Sequence, residues 1–298
     1  MIRTMKVFSF LIILIISIIL SLTSESEACV GKNWFCDWMT NRNNSRETTT
    51  TFSTSVTEDE KMQAIRNISS SINQFSIELH QAMAKKTNGS FISSLLSALM
   101  VLMMAAYGAR DKNAEEMNSM LHFDTNNNTY KTGIYSLIEM FDALNPIRFK
   151  LANKIFAGRN REIKSDFMSL VRETFKSSIE NVDFGRSEDT TAKINNWRAE
   201  KNYQRIRNIV ESDEISADTE FFFMNSIYFS ALWKTAFNES DTKPRKFKIT
   251  KEKTIERPIM KRSKDYVYLT EFSLFVVPFD FKRDSNNDES MRLITLYP

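Results

Sequence analysis

Glycine and histidine are scarce in this chain of 298 residues, and their scarcity excludes several classes of enzyme. Only 6 glycines are present and no two lie close together, whereas loops that cradle phosphates need several glycines within a few residues. The two histidines, His80 and His122, stand far apart in the chain, so they form neither an HExxH motif nor a histidine-rich metal site. We therefore expect no catalytic residues, no cofactor and no bound metal, and we predict that the protein is not an enzyme.

A strong charge of one sign is also missing. Lys and Arg total 40 against 37 Asp and Glu, and the net charge of +3 is too balanced to indicate a nucleic-acid-binding protein. Hydrophobic residues make up 42% of the chain and charged residues 26%, which is typical of a globular protein. The length suits one large domain or two small ones.

The N-terminal residues have the layout of a secretory signal peptide. Arg3 and Lys6 give a positive start, residues 7–22 are mostly apolar, and Ser26 and Ala28 supply small residues for cleavage. The apolar run is shorter than the about 20 residues of a membrane-spanning helix, which argues against the alternative of a membrane anchor. We predict that residues 1–28 are removed and that the protein is secreted, extracellular and free of the membrane after cleavage.

Cysteine is nearly absent, since Cys29 and Cys36 are the only two. An oxidising compartment would let them close a small disulfide loop, and the alternatives are free thiols or pairing with another chain. Residues 29–57 become rich in Thr, Ser and Asn after these cysteines and show no pattern that would bury one face. We expect a polar, flexible extension there.

Five Asn-x-Ser/Thr sequons follow the predicted leader. In a secreted protein each is a candidate acceptor for N-glycosylation, and they are Asn43, Asn67, Asn88, Asn127 and Asn238.

From residue 58 the hydrophobic pattern predicts helices first and strands later. Three- and four-residue spacing predicts a helix over 58–87, and residues 95–107, apolar on nearly all sides, are typical of a central buried helix. Further helices are expected over about 130–144, 163–175 and 191–210, with a short helix capped by Asn113 after the second. Strand patterns occur at 149–156 and 221–229, and short β-type runs fill residues 245–298. This order predicts an α+β domain over residues 58–298.

Several motifs in this part of the chain occur in an order typical of one family. They include Asn153-Lys154-Ile155-Phe156, Asp183-Phe184, Ile194-Asn195-Asn196-Trp197, Asn225-Ser226-Ile227-Tyr228-Phe229 with Trp233, and Ser290-Met291 with Leu296-Tyr297-Pro298. From about residue 60 to the last residue the chain resembles the serpin (serine protease inhibitor) family.

The resemblance implies a serpin-like α+β fold, with helices packed on a large mixed sheet beside smaller sheets. It also implies a mechanism without catalysis, in which a cleaved reactive loop inserts into the large sheet as a new strand. Four residues of the expected central strand would lie near the insertion point, and their role would be structural: Asn225, Tyr228, Phe229 and Trp233.

In the family the reactive loop and the last core strands follow a Leu-Pro strand that resembles the end of this chain. We therefore expect an incomplete serpin-like domain whose C-terminal strands are missing. Three explanations stay open: a fragment of a complete inhibitor, a truncated non-inhibitory binding protein, or a decayed copy. The expected partner is an extracellular protease, provided that the full chain carries a reactive loop.

Two departures from the family pattern and one missing feature qualify the resemblance. The proline expected before the second helix is replaced in Ser93-Ser94-Leu95, and the glycine of a Thr-x-Gly-Lys-Ile motif is replaced by Gln204. Residues 130–144 contain Lys131 as their only basic residue, so we expect no heparin binding there. The basic clusters at 243–246 and 261–264 are expected to be solvated strand ends.

Overall fold

The computed structural model describes residues 4–8, 56–87, 94–143, 148–249, 252–261, 267–269, 274–280 and 292–297. The chain divides into two compact units. The helical unit contains Phe8–Asp142 and Lys150–Ile227. The strand-rich unit contains Met1–Val7, Ala143–Phe149 and Tyr228–Pro298.

Six α-helices are described in the helical unit. They are α1 (Glu58–Lys86), α2 (Leu95–Gly108), α3 (Asp111–Leu121), α4 (Asn128–Asp142), α5 (Ser165–Glu173) and α6 (Ser187–Lys201). The start of α1 is a capping box, because the Thr57 hydroxyl accepts from the Glu60 amide at 3.3 Å while the Glu60 carboxylate accepts from the Thr57 amide at 2.8 Å.

The core of the helical unit is built on α2, whose sequence LLSALMVLMMAAYG is apolar on all sides. A helix of this kind has to be covered all round, and Leu99, Met100, Met103 and Met104 are fully buried. Helix α1 packs an apolar stripe into the same cluster through Ile68, Phe75, Leu79 and Met83. The expected buried helix is thereby confirmed.

A four-stranded sheet contains β1 (Thr4–Phe8), β2 (Arg148–Gly158), β3 (Ser178–Val182) and β4 (Phe221–Leu232), in the order β1-β4-β2-β3. Strands β2 and β3 run parallel, with Lys154 opposite Ser178 and Gly158 opposite Val182. Parallel neighbours need a crossover connection, and α5 provides it. Strand β4 begins in the helical unit and ends in the strand-rich unit.

The strand-rich unit contains two smaller antiparallel sheets. Strands β5 (Lys243–Lys248) and β6 (Thr254–Ile259) form a two-stranded ribbon. Strands β7 (Val267–Leu269), β8 (Leu274–Asp280) and β9 (Arg292–Tyr297) form a sheet in that order. The short strands expected in the tail are confirmed, and so is the α+β class.

Two expected helix ends are wrong. Asn113 lies inside α3, which begins at Asp111 after Arg110, and the Arg110 side chain makes no capping hydrogen bond. Helix α6 covers Ser187–Lys201 rather than 191–210. It stops because the buried side chain of Asn202 accepts hydrogen bonds from the amides of Arg205, at 2.9 Å, and Ile206, at 3.1 Å.

The turn after α6 contains two consecutive left-handed residues. Tyr203 has φ 58° and Gln204 has φ 60°, and the Gln204 amide donates to the Ala199 carbonyl at 2.8 Å. Gln204 occupies the position at which the sequence motif led us to expect glycine. A left-handed backbone is the conformation that glycine adopts without strain, so the geometry of the turn is present although the glycine is not.

Candidate functional site

Strand β4 is the element around which the candidate site is built. Its sequence, FFFMNSIYFSAL, is rich in aromatic and apolar residues, and it is buried from Met224 to Ala231. Three polar residues, Asn225, Ser226 and Ser230, are buried with it. Because buried polar groups need partners, these positions show where the sheet depends on specific hydrogen bonds.

Asn225 is joined to the neighbouring strand β2 inside the helical unit. Its Nδ2 donates to Oδ1 of Asn153 at 2.6 Å, and the Asn153 carbonyl accepts from the Ser177 hydroxyl at 2.6 Å. Asn225 is 2% exposed and Asn153 is 6% exposed. This polar connection crosses an otherwise apolar part of the sheet and holds β4 in register with β2.

The Oδ1 atom of Asn225 is buried and accepts no hydrogen bond from the described residues. Leaving such an oxygen without a donor costs about 1–3 kcal/mol. A donor on a further strand or loop reaching this point would therefore stabilise the sheet.

The other three predicted site residues lie in the strand-rich unit, where all are buried. Phe229 packs edge-on against Phe149, with ring centroids 6.4 Å apart. Trp233 packs edge-on against Phe237 at 5.9 Å. Tyr228 and Phe229 are adjacent on a strand, so their side chains leave it on opposite faces. All three side chains are packed in the structure, and their part in loop insertion stays a prediction.

A charged cluster ties α6 to two strands of the sheet in the helical unit. The Glu180 carboxylate on β3 contacts the ammonium groups of Lys154 on β2 and Lys193 on α6, each at 2.5 Å. Burial alone would raise the pKa of Glu180, but the hydrogen bonds and charges of the two lysines outweigh it and hold that pKa below its ordinary value. The Lys154 ammonium also lies 5.9 Å from the centre of the Trp197 ring on α6.

Sequence reasoning missed the roles of Asn153, Glu180 and Lys193. Asn153 had a usable signal, since it is an amide inside an apolar strand pattern. Glu180 and Lys193 had none, because their meeting depends on how α6 packs on the sheet.

The other predicted sites are only partly within the described residues. Cys29, Cys36, Asn43 and Asn88 lie outside them, as does the predicted leader beyond Phe8. The disulfide, the leader and the extension therefore stay predictions.

Three sequons are described, and their surroundings differ. Asn127 and Asn238 are exposed in turns, and their Oδ1 atoms accept from the amides of Thr129, at 2.9 Å, and Ser240, at 3.2 Å. Asn67 lies within α1, half-buried, and its Oδ1 accepts from Gln63 Nε2 at 3.0 Å. The two turn sequons are therefore the more accessible.

The histidines and the acidic residues form no recognisable metal site where the structure is described. No group of three or more His, Cys, Asp or Glu side chains there could hold a metal ion. His122 contacts the Glu78 carboxylate at 3.0 Å, and its carbonyl accepts from the Ser71 hydroxyl. Both contacts connect the end of α3 to α1, which is a structural role.

Among the residues that the structure describes, no helix combines the length and the apolar character needed to span a membrane.

The comparisons with known proteins agree with this architecture. The sequence model of the family described as "Serpin (serine protease inhibitor)" matches residues 70–296. The chain belongs to the serpin family. That description is of protease inhibitors rather than peptidases.

Among curated relatives, Alaserpin of Manduca sexta is 30% identical over 65% of this chain and 50% of its own length. Antitrypsin of Bombyx mori is 27% identical over 70% of this chain and 54% of its own. Human Serpin B3 is 28% identical over 61% and 51%. The chain spans about half the length of the curated relatives it matches.

Solved structures show the same fold. The structure titled "Cleaved Serpin 42Da" has a TM-score of 0.66 and 23% identity, covering 79% of this chain and 62% of its own. Reactive-loop-cleaved human Thyroxine Binding Globulin has a TM-score of 0.68 and 18% identity, covering 78% and 69%. The expected serpin-like fold is confirmed.

Proposed function

We propose that this chain supplies the sheet of a serpin-type inhibitor of serine endopeptidases. In the complete protein, a cleaved reactive loop would insert as a new strand beside β4, at the edge that β1 occupies in this structure. Strand β1 (Thr4–Phe8) lies within the predicted leader, so the cleavage proposed below would free that edge. The observation that carries the proposal is the family match over residues 70–296, which includes the whole of the buried strand β4. The names of two relatives, Antitrypsin and Antichymotrypsin-2 of Bombyx mori, support serine proteases as targets.

The geometry of β4 suits this role. An incoming strand would pair its backbone with the edge of β4, and its side chains would continue the buried layers to which β4 contributes. The Asn225 Oδ1 atom can accept a hydrogen bond from it. Specificity for one protease would depend on the reactive loop. We therefore propose only the class of the target, an extracellular serine protease.

We further propose that the protein is secreted through cleavage after Ala28. N-terminal sequencing of the protein recovered from the medium of expressing cells should begin at Cys29. A protein retained in the cells with Met1 at its start would contradict secretion.

The alternative is a serpin-fold binding protein without inhibitory activity, or a decayed copy with no stable product. Solved neighbours include an ovalbumin from emu and human Thyroxine Binding Globulin, whose names do not describe inhibitors. The fold alone therefore does not distinguish the alternative from inhibition.

The test compares two products of the transcript. We would sequence it past the codon for Pro298, then incubate both the 298-residue chain and any longer product with trypsin and with chymotrypsin. We expect an adduct that survives denaturing gel electrophoresis with the longer product and none with the 298-residue chain. A reading frame that closes at Pro298, or a longer product that is only degraded, would favour the alternative.

A further inference from the structure

The ribbon of β5 and β6 is an exposed, strongly basic surface in the strand-rich unit. We call residues 243–249 and 252–261 the basic ribbon. Every residue of β5 is exposed. Phe247, within the strand, is 50% exposed, and Ile249, directly after it, is 49% exposed. Exposed apolar side chains on a strongly charged ribbon indicate a binding surface.

The strand register sorts the side chains of the ribbon onto two faces. Phe247 stands opposite Ile255, Arg245 opposite Arg257, and Lys243 opposite Ile259. Because directly opposed residues share a face, one face carries the apolar pair Phe247 and Ile255 near the β5–β6 turn and the two arginines behind it. Ile249 continues this face at the turn, opposite Lys253, and its amide donates to the Lys253 carbonyl at 2.8 Å. The other face carries Pro244, Lys246, Lys248, Thr254, Glu256 and Pro258.

The charge of the ribbon is not balanced within it. Its basic residues are Lys243, Arg245, Lys246, Lys248, Lys253, Arg257 and Lys261, against the two acidic residues Glu252 and Glu256. Arg245 and Arg257 are directly opposed like charges, an arrangement that destabilises a sheet unless an anion lies between or above them. The Arg257 guanidinium donates to the Glu256 carbonyl at 3.4 Å, a contact with a backbone oxygen that leaves its charge unneutralised.

We propose that the basic ribbon docks on an anionic lipid surface. In this arrangement Phe247, Ile249 and Ile255 enter the interface, and the two opposed arginines, about 7 Å behind Phe247 along the strand, lie at the level of the lipid phosphates. Apolar side chains bordered by cations, Lys253 at the turn and the two arginines behind, match the layering of a membrane surface, since the long lysine side chain can reach the lipid headgroups. A linear sulfated polysaccharide would match the cations but leave the apolar end in water, so it is the weaker candidate.

The contact is peripheral, unlike a spanning segment, and it replaces the expectation that the protein is free of the membrane after cleavage. Each Lys or Arg near an anionic surface strengthens binding about fivefold. Removing two facing arginines should therefore weaken binding by about 10–30-fold, and raising the salt concentration should weaken it further.

The test is co-sedimentation of the chain from Cys29 to Pro298, the product of the proposed cleavage, with vesicles of phosphatidylcholine containing about 30% phosphatidylserine. We expect Arg245→Gln with Arg257→Gln to lower the partition coefficient about 10–30-fold and Phe247→Ser with Ile249→Ser to lower it at least about fivefold. The matched control, Lys246→Gln with Lys248→Gln, removes the same charge from the opposite face and should lower it less than about threefold. The predicted leader is absent from the parent and from all variants, so its apolar run does not contribute to vesicle binding.

Circular dichroism and melting temperature check that each variant is folded like the parent. Equal losses for the two double charge variants would overturn the proposal, because they would indicate attraction without a docking face. Full vesicle binding by the Phe247→Ser, Ile249→Ser variant would overturn it too. So would binding to immobilised dextran sulfate with no binding to the vesicles.

Discussion

The left-handed backbone at Gln204 predicts that a glycine there stabilises the protein. A left-handed conformation costs a residue with a β-carbon about 1–2 kcal/mol, whereas glycine avoids that strain and loses about 0.5–1 kcal/mol through the freedom of the unfolded chain. The Gln204 side chain is exposed, so its removal costs little packing. Gln204→Gly should therefore raise the free energy of unfolding by about 1 kcal/mol and the melting temperature by about 2–4 °C.

The conformation is fixed by its surroundings, so glycine should keep it. The Gln204 amide donates to the Ala199 carbonyl, and the Asn202 side chain holds the next two amides. Denaturant unfolding followed by circular dichroism measures the effect. The control is Gln204→Ala, which keeps the β-carbon and should give no gain. A stabilisation by alanine equal to that by glycine, or a loss with glycine, would refute the argument from backbone strain.

The remaining predictions concern the helix packing, the charged cluster and the sequons. Gly133→Ala places a β-carbon in steric conflict with the Ala64 carbonyl oxygen, so about 3 kcal/mol of overpacking should outweigh about 1 kcal/mol of helix propensity. The unfolding free energy should fall by about 2 kcal/mol, and an unchanged chemical denaturation midpoint would contradict this. Glu180→Gln should cost about 1 kcal/mol at pH 7. The pKa of this carboxyl is lowered in the folded protein, so its contribution to stability is present above the ordinary pKa of glutamate and is lost as the pH falls through the folded pKa. The unfolding curves of variant and parent should therefore converge in acid. A stability difference that stays constant down to acid pH would count against the charged cluster. In protein from a secreting eukaryotic host, Asn127→Gln should remove one glycan by mass spectrometry and Asn67→Gln none, and the reverse would refute the ranking by exposure.

Long apolar patterns predicted the fold well. The run from Phe221 to Phe229 indicated a covered strand, and β4 is buried along most of that length. The all-apolar pattern at 95–107 indicated the central helix α2, for the same reason: burial on all sides leaves no polar alternation.

Helix ends and polar partners were harder to predict because they depend on single side chains. The apolar spacing after Lys201 continues to Val210, but the Asn202 side chain takes two backbone amides and ends α6 early. The Asn153–Asn225 pair depends on the register of β2 against β4, which no local pattern contains. Glu180 meets Lys193 only through the packing of α6 on β3, so that contact could not be predicted either.

The burial of β4 is the central claim, because both the serpin fold and the proposed insertion site depend on it. Hydrogen–deuterium exchange of the 298-residue chain, followed by mass spectrometry of its peptides, tests it directly. We expect amides of Phe221–Leu232 to exchange at least about 100-fold more slowly than those of the exposed strand Lys243–Lys248. Exchange at β4 as fast as at β5 would contradict a buried central strand and would favour a decayed copy over a folded serpin sheet.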